Sequence, residues 1–163
     1  MPEFKNLTEL NKYINQQMKN ALQNEVAQVV KNKEQEKVVT EVYEKYTPNN
    51  GEPWVYERRG TSGGLADQRN MKSKVKNIKD GVELSVENVT KGKDEKVQIS
   101  DLVEFGDGYR GLEYDYKENR DDTADQYLQS RPFQERTVDE LAQTNEHVKA
   151  MKNGLIRQGL NVT

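Results

Sequence analysis

Cysteine is absent from this chain. Its absence excludes disulfides, thiolate zinc sites and cysteine nucleophiles, and it suits a protein made in a reducing cytoplasm. Apolar residues are scarce: they make up 33%, no more than the 33% that is charged. The mean hydropathy is −1.08, far on the hydrophilic side of an ordinary globular domain. Aromatic residues amount to 7%, most of them tyrosine. A chain of 163 residues suits one domain with an appendage, but the core it can build is small. Much of its surface must be solvated or buried by partners. The start, MPEFKNLTEL, lacks the apolar stretch of a signal peptide. No apolar run approaches the roughly 20 residues of a membrane span, so no membrane partner is expected. An excess of base is missing too. The net charge of −3 and a pI near 5.4 argue against a protein that coats nucleic acid.

The residues of catalysis are equally thin. His147 is the only histidine, so a multi-histidine metal site is excluded. No nucleophile elbow accompanies it, and the simpler reading is a partly packed helical side chain. Gly60-Thr-Ser-Gly63-Gly64 has the glycines of a phosphate loop without its lysine and following hydroxyl residue. Asp107, Glu113, Asp115, Asp121, Asp122 and Asp125 supply carboxylates, but not at the alternate positions of a calcium loop. The expectation is a protein that is not an enzyme, with no cofactor and no metal.

Pattern is what the chain does have. Leu10, Ile14, Met18 and Leu22 recur every four residues, Val26, Val29 and Val30 continue the stripe, and Val39, Val42, Tyr43 and Tyr46 resume it. That spacing predicts a helix from Leu7 to about Tyr46, capped by Asn6 or Thr8 and ended by Pro48. The polar stretch from Lys31 to Lys37 either breaks it or leaves one turn exposed. Unbroken, it would span about 60 Å, longer than a small domain is wide. Residues 47–69 hold two of the four prolines and the GTSGG cluster around Trp54, Val55 and Tyr56. They read as a solvent loop with one aromatic anchor, or as an arm that folds against another chain.

Val75, Ile78, Val82, Leu84, Val86 and Val89 alternate as in strands, with Asp80-Gly81 as the turn of a hairpin. A second turn cluster follows at Lys91–Lys96. Ile99–Phe105 reads as a short helix begun at Ser100 or Asp101. Tyr109, Leu112, Tyr114 and Tyr116 suggest a strand, and residues 118–125 a solvated loop. Thr137-Val-Asp-Glu140 reads as a capping box opening a last helix, which Gly159 stops; the LNVT tail reads as an edge strand. The fold class is therefore α+β: a long N-terminal helix, a small antiparallel sheet with an extended arm, and a C-terminal helix packed on the sheet. Residues 1–46 form the helical segment, 47–69 the arm, and 70–163 the body, which makes one domain with the first helix. Lys72, Lys74, Lys76 and Lys79 line the hairpin after Arg69. They suit protection of an edge strand or contact with an acidic partner, or alternatively phosphate contact.

Three stretches, in order, resemble the tail-completion or head–tail joining proteins of tailed bacteriophages. The first is Val42-Tyr43, Tyr46-Thr47-Pro48, Tyr56-Glu57-Arg58-Arg59-Gly60 and Gly64-Leu65-Ala66-Asp67. The second is Leu102-Val103-Glu104-Phe105-Gly106. The third is Arg131-Pro132-Phe133 with the ending Gly154-Leu-Ile-Arg-Gln-Gly159. Together they cover about residues 38–160. The long first helix and the acidic insert between Gly106 and Arg131 depart from the family pattern. The resemblance implies a structural virion protein of the phage neck, assembled in the host bacterial cytoplasm. It implies a ring, a hexamer or dodecamer, that joins the head connector to the tail tube and lets DNA through without sequence-specific binding. The candidate contacts are Trp54, Tyr56, Arg58, Arg59, Leu65, Glu104, Arg131 and Phe133. Trp54 and Tyr56 are compact anchors for a partner groove; Phe133 suits the core better. Other structural readings are a connector, tail-terminator or minor tail protein. From another class, the lysine-bearing strand suits a small nucleic-acid-binding regulator.

Overall fold

The structure, a computed structural model, describes residues 3–45, 61–79, 81–91, 98–106 and 130–162. Its spine is one unbroken helical rod. Helix α1 (Leu7–Ala21) runs through a π-helical turn (Leu22–Val26) into α2 (Ala27–Lys37), and a second π-helical turn (Val38–Tyr43) ends it. Asn6 is the cap, its side chain accepting from the Glu9 amide at 2.9 Å, which satisfies a free donor of the first turn. At about 1.5 Å per residue the rod is roughly 55 Å long.

The π turns follow from the spacing of the stripe. Leu10, Ile14, Met18, Leu22, Val26, Val30, Glu34, Val38 and Val42 stand four apart. Four residues overshoot a 3.6-residue turn by about 40°, so eight steps in a pure α-helix would wind the stripe by about 320°. A π turn closes over five residues in place of four. The Ala27 amide reaches back to the Leu22 carbonyl, and the Glu44 amide to that of Val39 at 2.9 Å. Each such turn takes up one extra residue and sets the stripe back by about 100°. The remaining rotation shows in what covers the rod. Its first half meets the C-terminal helix and the hairpin, and its second half meets the helix before that one.

Strands β1 (Met71–Ile78) and β2 (Gly81–Asn88) form an antiparallel hairpin with Val75 opposite Leu84 and Ile78 opposite Gly81. The turn falls next to the expected place, but Gly81 already pairs with Ile78 and belongs to β2, so the strands close earlier than an Asp80-Gly81 turn implies. Val75, Val82, Leu84 and Val86 are partly covered, while Lys72, Lys74 and Lys76 face solvent. The solvent face is not uniformly basic: Lys76 pairs with Glu83 at 2.7 Å, and Lys72 stands opposite Glu87. Helix α3 (Ile99–Phe105) follows a single bridge between Lys91 and Gln98. Helices α4 (Phe133–Thr144) and α5 (Glu146–Arg157) then run back along the rod. The molecule is α+β, as the patterning predicts.

The C-terminal region differs from expectation in three ways. One helix was expected; Asn145, in the left-handed region at φ 54°, divides it into two, and asparagine tolerates that conformation better than most residues. The expected capping box is not a cap. Thr137 lies inside α4 and donates to the Phe133 carbonyl at 2.7 Å, and Glu140 reaches across to the rod instead. The tail described at residues 160–162 forms no strand. The stop at Gly159 does occur: its amide donates to the Ile156 carbonyl at 2.9 Å and the Leu160 amide to that of Leu155 at 3.1 Å, the paired bonds of a Schellman end.

Val38, Val42, Leu65, Ala66 and Phe133 make the core, with Val39, Tyr43, Ile99 and Val103 packed against it. Phe133 is fully buried, which contributes about 1.5–3 kcal/mol. Leu65 and Ala66 belong to the stretch assigned to the arm. Residues 61–69 are thus part of the body, while 46–60 lie outside the described residues, as do the strand and loop expected within 107–129.

Candidate functional site

Polar residues gather where the rod, the end of β2, α3 and α4 converge. Glu34 occupies one position of the four-residue stripe, so it points inward like its valine neighbours and is buried. The Asn88 amide donates to Glu34 Oε1 at 2.9 Å and to the Leu65 carbonyl at 2.9 Å. Thr90 donates its hydroxyl to Asn88 Oδ1 at 2.6 Å, and Ser100 donates to the Asn88 carbonyl at 2.5 Å. Asn88, Thr90 and Ser100 are all buried. This one network ties the rod to the 64–66 turn, to β2 and to α3. Burial is the main cause that pushes the Glu34 carboxyl above its usual range. The Asn88 hydrogen bond opposes the shift and the nearby Glu104 charge adds to it.

Glu104, also buried, caps α4 from a distance in sequence. Its two oxygens accept from the Gln134 amide at 2.8 Å and the Glu135 amide at 3.0 Å. Pro132, at the cap position, has no side chain to do this, and a carboxylate at a helix N-terminus also meets the favourable end of the dipole. Burial again raises the carboxyl pKa, and the two amides offset part of that. Ser130 donates to the Glu104 carbonyl at 2.5 Å and the Arg131 amide to the Val103 carbonyl at 2.8 Å. The end of α3 and the start of α4 are thereby latched on either side of the acidic insert.

A charged seam joins α4 to the rod. Lys33 meets Glu140 at 2.7 Å, Glu36 at 3.0 Å and Glu146 at 3.7 Å, and Lys37 also pairs with Glu140. The Glu140 and Glu36 hydrogen bonds hold the Lys33 ammonium well above its ordinary pKa, and Lys33 and Lys37 hold Glu140 below its own. The polar stretch from Lys31 to Lys37 is therefore neither a break nor an exposed turn; it is the half of the seam that the rod supplies.

These groups fasten elements together. Among the described residues no group of three or more histidine or acidic side chains could hold a metal, and no helix is long and apolar enough to cross a membrane. His147 keeps a buried Nδ1 that has no hydrogen-bond partner among the described residues. Of the eight contact candidates, Leu65, Glu104 and Phe133 lie close together inside the molecule, and Arg131 sits partly buried beside them. Trp54, Tyr56, Arg58 and Arg59 lie outside the described residues. Glu34, Asn88 and Thr90 were not singled out by sequence, and Ser100 was expected only as a helix start, whereas it lies inside α3 after the cap residue Gln98. Only Glu34 carried a signal, as the single charged residue at a stripe position.

The family model for YomN matches residues 6–157. The chain belongs to the YomN family. That match spans the rod, the hairpin and both C-terminal helices, so the whole fold described above is the YomN unit. The YomN name is a phage-derived one and associates the chain with phage proteins. No curated protein matches the chain, and no solved structure does.

Proposed function

We propose that this YomN-family chain is a non-enzymatic structural protein of the phage neck, which forms a ring between head connector and tail tube. The observation that carries the reading is the rod. Among the described residues, a helix of roughly 55 Å is covered by a two-stranded hairpin, the 61–70 segment and three short helices, and the buried core they share with it is small. Such a shape stays soluble alone but gains most from side-by-side packing, which closed cyclic symmetry supplies. The phage association of the family and the ordered motifs from Val42 to Gly159 support the same role. The nucleic-acid regulator reading loses support at the hairpin, where Glu83 and Glu87 stand among the lysines.

The protein resides in the virion after assembly in the bacterial cytoplasm, and DNA passes through the ring without sequence-specific contact. Native mass spectrometry with the connector and tail-tube proteins of the same phage tests this. A closed ring that binds at least one of them is expected. A strict monomer that binds neither overturns it.

A further inference from the structure

Glu34 stands on the inward stripe of the rod, where every other position from Leu10 to Val42 is apolar. It is 4% exposed. The fold does not require an acid there. A valine would continue the stripe, and a glutamine Oε1 would accept the same bond from the Asn88 amide. Replacing a buried charged group by a neutral one of similar size is often neutral or stabilising. What glutamate adds at this position is a proton that can leave.

The knot suits only one state of that proton. Among the described residues Asn88 alone donates a hydrogen bond to Glu34, and the other hydrogen of its amide is committed to the Leu65 carbonyl. An ionised Glu34 gains no further donor, and a buried charge without partners is costly. The surrounding charges do not relieve it. Glu104, 6% exposed on α3, acts against ionisation of Glu34, and Lys31 on the rod acts for it, as the smaller of the two influences. Lys33 and Lys37 are held by Glu140, and Asp67 by Arg69. Glu87 at the end of β2 accepts from Gln98. Asp101 and Glu135 act on Glu104, and Arg136 pairs with Asp139. Glu104 has two amide donors, which suit its ionised form. Glu34 is therefore the member of the pair that keeps its proton. Losing it places two like charges in one dry knot, where repulsion is several times stronger than in water.

Relief has one easy direction. The rod is held by its own backbone bonds, and α4 is anchored by the buried Phe133 and by Glu140. Helix α3 has seven residues and meets the core through the partly buried Ile99 and Val103. We infer that Glu34 is a proton-operated latch: while its carboxyl is neutral, α3 lies against the rod, and when it ionises, α3 comes away while the hairpin, α5 and the charged seam stay in place. This inference is independent of the proposed ring.

Burial holds the Glu34 carboxyl above its ordinary value of 4.5 in the closed form, and release returns it toward that value. Between the two values the opening equilibrium of α3 should grow about tenfold per pH unit, and it should level off above the raised one. Residue-resolved hydrogen exchange of the full chain across a pH series tests this. The Ile99 amide donates to the Thr90 carbonyl, the Arg131 amide to the Val103 carbonyl, and the Gln134 and Glu135 amides to the Glu104 carboxylate. All four are freed when α3 leaves, whereas the amides of α5 serve as the internal control. Base catalysis alone speeds exchange about tenfold per pH unit, so within the window the four amides should speed up on the order of a hundredfold per unit. Those of α5 should keep the ordinary dependence. Glu34→Gln, with its helix content checked by circular dichroism, should bring the four amides most of the way back to the α5 dependence. Glu104→Gln keeps the latch but removes the neighbouring charge, and should lower the pH at which opening levels off. If the four amides and α5 respond to pH alike in the wild type, α3 is not released separately and the inference fails. If Glu34→Gln keeps the wild-type profile, another group controls α3 and the inference is overturned.

Discussion

Gly154 lies buried where α5 packs closely on the rod, and its replacement by alanine puts the helical packing to a numerical test. A Cβ at that position would stand 2.9 Å from the Ala21 Cβ, 2.9 Å from Glu25 Oε2 and 3.1 Å from Glu25 Cδ. Ordinary carbon contacts lie at about 3.5–4.0 Å, so the Ala21 contact is short by about 0.6–1.1 Å. Neither Cβ can rotate away, because each is fixed to its helix. The Glu25 carboxylate can move only by disturbing its bond to Arg157 at 2.9 Å. In an open helix, Gly→Ala gains about 0.8–1.0 kcal/mol. Over-packing costs about 1–3 kcal/mol, so Gly154→Ala should range from neutral to destabilising by about 2 kcal/mol.

Ala21→Gly returns the space. The double variant should therefore be more stable than the sum of the two single changes by about 1–2 kcal/mol, a coupling that a double-mutant cycle isolates. Urea denaturation followed by far-UV circular dichroism measures all four proteins. If Gly154→Ala gains the full helix-propensity increment and the coupling is zero, α5 does not lie against the rod at Ala21, and the packing argument is refuted.

Burial holds the Glu34 carboxyl above its ordinary value, so the folded protein keeps this proton to higher pH than the unfolded chain does. The stability tied to the neutral form is fully present below the ordinary carboxylate pKa of about 4.5 and is lost as pH rises through the raised folded value. The advantage of Glu34→Gln over wild type should therefore grow with pH across that window, by urea titration at each pH; a flat or shrinking difference contradicts the assignment. Asp67 and Glu140, whose pKa values are lowered, act in the opposite sense but equally in both proteins. Glu104→Ala removes the cap of α4 and strands two amides, and should cost about 2 kcal/mol with faster hydrogen exchange at Gln134 and Glu135. Unchanged exchange there would mean that α4 is capped by something else.

The rod, the presence of the hairpin, α3 and the Gly159 stop were legible because their signals are local: a repeating stripe, an Asn6 cap, a turn signal between two alternating runs, a glycine that must take positive φ. What escaped was decided by partners remote in sequence. Thr137 and Glu140 have the spacing of a capping box, but any helix interior also brings residues three apart onto one face. The real cap arrives from Glu104, about thirty residues earlier, and so leaves no mark near α4. The Lys31–Lys37 stretch reads as an interruption until Glu140 and Glu146 are set beside it. The π turns were implicit in the four-residue repeat, since an α-helix alone cannot keep such a stripe on one face. Leu65 and Ala66 read as arm because GTSGG dominates their neighbourhood, and only the valines of the rod show them to be core. The polar knot was the least visible feature. Asn88, Thr90 and Ser100 are ordinary turn and cap residues until their partners are known.

Electron microscopy of particles from a phage whose copy of this gene is inactivated tests the neck assignment most directly. The account predicts filled heads and separate tails that do not join, with joining restored when the purified protein is added to the lysate. Intact, infectious, tailed particles assembled without the protein would contradict it.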